Sequence, residues 1–204
     1  TVTKTGATTL VSSVDFSVAP NTAVTPGDYS GTLTGTLSFA VNEATKTITL
    51  NVTNDTVYEL TENFNVNLLN AVNASISDNQ GVGTINDNDA GPAFSINDVS
   101  VSESAGTITF TVTKTGATDV ASSVHYDVAA NTAGTPGDYT AGTSALSGDL
   151  NFAANVATQT ITLNVTGDTI QELTENFNVN LSAAVQATIA DAQGVGTITD
   201  DDAG

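Results

Sequence analysis

The sequence predicts an all-β chain: two tandem immunoglobulin-like antiparallel β-sandwiches of about seven strands each, the first lacking its N-terminal strand. Three observations carry this. Apolar residues alternate with Thr or Asn through Ile48, Leu50 and Val52, through Phe64, Val66 and Leu68, and again through Ile108, Phe110 and Val112. A period of two with one polar face marks strands that cover a core on one side. The pattern is also written twice, since residues 1–8 recur at 111–118, Pro26-Gly-Asp28-Tyr29 recurs as Pro136-Gly-Asp138-Tyr139, and Phe39 matches Phe152 across a three-residue insertion near 141–148. Finally, turn residues separate every run, with a Gly91-Pro92 breaker between the copies.

These marks place the domains at 1–91 and 92–204, each large enough for a core of its own. In the complete second copy strands are expected near 94–101, 106–113, 122–129, 146–152, 158–166, 174–182 and 186–199, the last irregular, with no helix. The run at 122–129 alternates Val124, His125, Tyr126, which sends His125 to the solvent face. That at 158–166 buries Ile161, Leu163 and Val165, and that at 174–182 buries Phe177, Val179 and Leu181. Gly194-Val-Gly196 and its twin Gly81-Val-Gly83 sit inside the last strand, where a bulge or tight packing explains them better than a phosphate loop. Thr1 matches Thr111 and residues 1–91 hold nothing that matches 92–110, as expected of a segment from a longer array.

The chain carries 22 acidic and three basic residues, a formal net charge of -19, and no Cys, Met or Trp. That charge argues against nucleic acid or an anionic membrane surface as a partner. No run approaches the roughly 18 apolar residues of a membrane-spanning helix, so no direct membrane insertion is expected. Without cysteines the domains depend on core packing and metal, which suits an extracellular or cell-surface bacterial protein.

The acids are not scattered. The hairpin at 55–68 is repeated at 168–181 with acids in register, Asp55, Glu59 and Glu62 matching Asp168, Glu172 and Glu175, and each copy ends in an acidic run, Asp87-Asn-Asp89 and Asp200-Asp201-Asp202. In an up-and-down strand order, Glu103, Asp138, Asp168, Glu172, Glu175 and Asp200 to Asp202 fall on connections at one pole, as do Asp28, Asp55, Glu59, Glu62, Asp87 and Asp89 in the first copy. Two carboxylates 4 Å apart repel by about 4 kcal/mol at an effective dielectric near 20, so a fold that gathers them calls for a cation. Hard oxygen ligands from several loops, with no Cys or His among them, suit Ca2+; Mg2+ demands a tighter octahedron and Zn2+ prefers nitrogen or sulfur. Solvation of loop ends alone would not require the same spacing twice.

Four motifs together give the chain a resemblance to the Calx-beta domain: Val-Ser-Val-Ser-Glu103, Gly-Asp138-Tyr, Asp168-x-x-x-Glu172-x-x-Glu175 and the Gly-x-Gly-Thr-Ile-x-Asp-Asp-Asp202 run. That family is known from the regulatory loop of sodium/calcium exchangers and from large bacterial surface proteins. The resemblance implies Ca2+ held by the corresponding carboxylates, helped by a backbone carbonyl near Ile170. Gly167 and Asn54 stand where calcium-sensing members often carry an Asp, and Asn88 interrupts the first terminal run, which implies fewer or weaker ions, above all in the first copy.

The reading that follows is a non-enzymatic, calcium-rigidified spacer in an adhesin, surface fibre or other long secreted protein. Ions near Asp87 and Asp89 would stiffen the junction at Pro92. Its expected partners are neighbouring repeats or adjacent subunits in a fibre, with room for a cell-surface or matrix ligand. The alternative is a calcium-sensing regulatory module coupled to a membrane or enzymatic domain. No nucleophile and base can be paired from this sequence.

Overall fold

The computed structural model describes residues 1–6 and 9–203; Ala7 and Thr8, the end of the recurring octapeptide, lie outside them. The chain divides into two compact units, Thr1–Thr56 with Leu60–Asn88, and Asp89–Gly204 with the stretch Val57–Glu59. In the first, the strands are β1 (Val2–Thr3), β2 (Ser12–Pro20), β3 (Tyr29–Gly31), β4 (Thr34–Phe39), β5 (Thr45–Lys46), β6 (Leu50–Val52), β7 (Glu62–Val72) and β8 (Gln80–Ile85). In the second they are β9 (Ala93–Ile96), β10 (Val99–Ser102), β11 (Thr107–Thr115), β12 (Ser122–Ala130), β13 (Tyr139–Ala141), β14 (Ser147–Phe152), β15 (Thr158–Val165), β16 (Glu175–Val185), β17 (Thr188–Ile189) and β18 (Gln193–Thr199). No described helix is long and apolar enough to cross a membrane.

The second unit is a sandwich of two five-stranded sheets, ordered β10-β18-β16-β12-β14 and β13-β15-β11-β9-β17. The alternating residues close its core: Ile108, Phe110, Val112, Ile161, Leu163, Phe177 and Val179 are all fully buried. Phe177 organises the centre, stacked on Tyr139 at 4.3 Å and edge-on to Phe110 at 5.8 Å. A Cβ on Gly196 would stand 2.6 Å from Phe177 Cζ, and one on Gly83 would stand 2.2 Å from Phe64 Cζ. Tight packing, not a ligand loop, therefore accounts for the paired glycines.

Three expectations are corrected. The sandwich is not wholly antiparallel, because β10 runs parallel to β18 and β17 parallel to β9. The first strand is split: Asn97 Oδ1 accepts from Thr111 N at 2.6 Å and Asp98 Oδ1 from Val195 N at 2.7 Å, so two polar side chains satisfy backbone donors while the chain crosses from one sheet to the other. A short 3-10 turn follows at Glu103–Ala105, capped by Ser102 and closed by Gly106 at φ 74°, where no helix was expected.

The first unit has a four-stranded sheet, β4-β2-β7-β8, facing only the two-stranded pieces β3-β6 and β1-β5. Within residues 1–91 nothing matches β9 or β10, and of β11 the stretch Thr111–Thr115 is matched by Thr1–Thr5. The matched lysines of the two copies, buried in the second and half-buried in the first, follow one plan. Lys114 Nζ donates to the carbonyls of Ala153 and Ala154 at 2.9 and 2.8 Å and lies 5.9 Å from the Phe152 ring centre, while Lys4 Nζ donates to Ala40 and lies 5.5 Å from Phe39.

His125 lies on the outer sheet face as expected, but it is not free in solvent. Its Nδ1 is 2.6 Å from Asp149 and its Nε2 3.2 Å from Asp127, and the hydrogen bond to Asp149 is the main cause that raises its pKa above 6.5. Asp15, its match in the first copy, instead accepts hydrogen bonds from Thr36 and Asn70.

Candidate metal centre

Parallel pairing builds one half of the site. Because Ser102 of β10 is registered with Thr199 of β18, the turn after β10 and the acidic run after β18 emerge side by side. Glu103, Asp200 and Asp202 each bring a carboxylate oxygen to within 4.8 Å of the others. Glu103 is 5% exposed, and its Oε1 and Asp202 Oδ2 are buried without a hydrogen-bond partner. A buried carboxylate oxygen with no donor costs the full desolvation of that atom.

The other half comes from the antiparallel strands. Asp138 immediately precedes β13, Glu175 opens β16, and Glu172 lies on the loop between β15 and β16; their oxygens also lie within 4.8 Å of one another. Asp138 holds its loop by accepting from Gly134 N at 2.6 Å, as Asp28 accepts from Val24 N at the same distance. A small cavity is lined by Glu103, Asp138, Glu172, Glu175 and Asp200 together, so both acid groups face one space. Their counterparts in the first copy are Asp28, Glu59 and Glu62, all half-buried, with Asp28 and Glu62 offering oxygens within 4.8 Å of each other.

The remaining predicted residues stand differently. Asp168 Oδ1 is engaged by Ile170 N at 2.6 Å, and its charge contributes to raising Glu172; Ile170 itself is exposed. Asp201 turns to Ser102 and Ser104, whose hydroxyls donate to Oδ2 and lower its pKa, so it fastens the 3-10 turn. Asp55 is exposed, and Asp87 and Asp89 are half-buried outside the group formed in their copy. Sequence reasoning did not foresee this work for Ser102 and Ser104; the Ser-x-Ser spacing around Glu103 was the available signal.

Electrostatics record the strain of the arrangement. Glu103 is pushed up to about 7, first by burial, then by the hydrogen bond to Asp202 that a proton on it makes, then by the charges of Asp202, Asp200 and Asp201. Glu172 and Glu175 are raised by burial first and by neighbouring acids, including Asp138, second. Every donor here is a carboxylate oxygen, a set that fits a hard divalent cation such as Ca2+.

The pH dependence follows in sign. Glu103 holds its proton more tightly in the folded state than at its ordinary value of 4.5, so its contribution to stability is fully present below pH 4.5 and is lost as the pH rises through about 7. Glu172 and Glu175 act in the same direction. The melting temperature of the metal-free protein is therefore expected to fall between pH 5 and pH 8. Saturating Ca2+, which competes with protons for these oxygens, should flatten that fall; a metal-free melting temperature that rises across the window would contradict the grouping.

The Calx-beta domain family matches the chain twice, over residues 1–90 and 86–202. Among solved structures, the apo form of the Calx CBD1 domain is 22% identical over 55% of this chain and 99% of its own, with a TM-score of 0.51. CBD12 from CALX1.2 is 20% identical over 96% of this chain and 90% of its own, with a TM-score of 0.45. The calcium binding domain CBD12 of CALX1.1 is 18% identical over 97% and 90%, with a TM-score of 0.43. No curated protein matches the chain. With both sandwiches matched nearly from end to end, and the acids that define its motifs gathered at one pole of the complete repeat, the chain belongs to the Calx-beta family as a tandem of two domains.

Proposed function

We propose that this chain is a calcium-binding regulatory module, in which Ca2+ at the acidic poles changes the stability and order of each sandwich. The observation that carries the reading is Glu103: a buried carboxylate with an unpartnered oxygen, grouped with Asp200 and Asp202. A cation supplies the partner that no protein donor provides and removes the repulsion within the group. Membership of the Calx-beta family favours a sensing role over the spacer expected from composition. The role is binding, not catalysis; the sole histidine is held between Asp149 and Asp127 on the sheet face.

A second reading has its own support. The charge of -19, the lack of cysteine and the near-identity of the two acidic hairpins favour an extracellular spacer in an adhesin or surface fibre, with neighbouring repeats as its partners. Affinity separates the two. Sensors bind Ca2+ at about 10⁻⁷ to 10⁻⁵ M, whereas extracellular modules bind at about 10⁻⁴ to 10⁻³ M. Calorimetric titration of the metal-free chain is expected to give a dissociation constant in the sensor range, and a millimolar value would decide for the spacer. Glu175→Gln should weaken the second unit's binding at least tenfold, a loss of about 1.4 kcal/mol. No binding heat and no competition with Tb3+ would remove calcium from the account.

A further inference from the structure

The outer face of the β12–β14 pair carries a polar group that the acidic poles do not use. His125 of β12 is registered with Asp149 of β14, and Asp127, on the same face of β12, with Ser147. On the other side β16 brings Ser182 opposite His125 and Asn180 opposite Asp127, so Asp127 and Asp149 are the charged groups these three strands set beside the ring. The matched positions of the first copy are Asp15, Ser17, Thr34 and Thr36. The second copy thus holds a nitrogen ligand with a carboxylate on each side, where the first holds a single acid.

The two ring nitrogens do different work. Nδ1 is 2.6 Å from Asp149 Oδ1, so its N–H donates there, which fixes the tautomer and leaves a lone pair on Nε2. Nε2 then faces Asp127 Oδ2 at 3.2 Å and Ser147 Oγ at 3.3 Å. A lone pair and a carboxylate oxygen are both acceptors, so their approach is favourable only with a proton or a cation between them. The Ser147 hydroxyl can satisfy one of the two but not both. The spacing suits a metal, since two ligand atoms each about 2.0–2.1 Å from a tetrahedral ion stand about 3.3 Å apart. A carboxylate on the far nitrogen is the usual support of a ligating histidine, holding the ring in place and raising the basicity of the nitrogen that binds.

We propose that His125 Nε2 and Asp127 bind a divalent cation of the zinc class, with Ser147 beside the ion and Asp149 supporting the ring from behind. Nitrogen selects the ion: imidazole suits Zn2+, Cu2+ and Ni2+, whereas Ca2+ takes oxygen. The site is therefore distinct in chemistry from the grouped carboxylates of the acidic poles, none of which includes the histidine. Its ligands lie on an open face, with the Asp127 side chain 58% exposed, so water completes the coordination shell. Because β14 is the edge of its sheet, an ion touching both strands also fastens that edge to β12.

The test follows the imidazole itself. His125 is the sole histidine, so the ring nitrogen signals of a chain labelled with 15N-histidine report this site alone. The chain is held in saturating Ca2+, which occupies the acidic poles, and titrated with Zn2+ at about pH 8, the upper end of the range in which imidazoles titrate. The Nε2 resonance should move saturably while Nδ1 keeps its proton, and Mg2+ in place of Zn2+ should move neither. Asp127→Asn should weaken Zn2+ binding about tenfold or more, and Asp149→Asn by about tenfold to a hundredfold. Both positions are exposed, and an unchanged calcium-dependent melting temperature in each variant would show that the fold is kept. An Nε2 signal indifferent to Zn2+, or equal affinity in the Asp127→Asn chain, overturns the site.

Discussion

Calcium at a hundredfold excess over its dissociation constant is expected to stabilise a unit by about 2.7 kcal/mol for each ion that binds the folded state alone. For domains of this size that is a rise of roughly 10–20 °C in melting temperature. The gain has an identifiable source. The metal-free second unit keeps Glu103, Asp200 and Asp202 within 4.8 Å of one another, and Asp138, Glu172 and Glu175 likewise, so its folded state carries repulsion that the unfolded chain does not. Mg2+ at equal concentration should give a much smaller rise, because it gives up its waters reluctantly and demands octahedral geometry. Differential scanning calorimetry with Ca2+, Mg2+ and chelator would read all three, and a melting curve indifferent to chelator would exclude a resident ion.

Phe177→Ala is expected to destabilise the second unit by about 3–5 kcal/mol, the usual range for emptying an aromatic site in a closed core. Phe177 is fully buried, touches both Tyr139 and Phe110, and lies over Gly196, so nothing can move in to fill the space without disturbing the sheet. Phe64→Ala, the same change in the first unit, should cost less than half as much. Its ring lies tilted by 31° against Tyr29 at 4.5 Å but is only half-buried, where Phe177 is fully buried. Urea unfolding of the two variants, followed by residue-resolved NMR so that the units are scored separately, measures the difference. Equal losses would mean that the first core is closed in solution.

Much of this fold was legible because period-two alternation reports burial directly. Ile161, Leu163, Phe177 and Val179 were read as core from spacing alone and are fully buried. The acidic pole was legible for a similar reason: strand direction alternates, so loop parity brought Asp138, Glu172 and Glu175 to one end. What escaped were features set by single polar side chains. Nothing periodic distinguishes Asn97 and Asp98 from loop residues, yet their hydrogen bonds to Thr111 and Val195 let the first strand change sheets and make its second half parallel to β18. Asp201 looked like its neighbours Asp200 and Asp202, and only the serines facing it set it apart. A bulge where the β12–β16 register shifts between Ser123 and His125 was likewise invisible, since it depends on which strand lies alongside.

The parallel pairing of β10 with β18 bears on how the complete repeat carries mechanical load. These strands lie near the two chain ends of the repeat, and four registered pairs join them from Val99 with Gly196 to Ser102 with Thr199. Tension applied at the two ends runs along this ladder in shear, so its hydrogen bonds resist together, whereas a hairpin pulled open at its mouth gives way one bond at a time. An ion held by Glu103 and Asp200 would rivet the far end of that ladder, and calcium would then set the force at which the repeat yields.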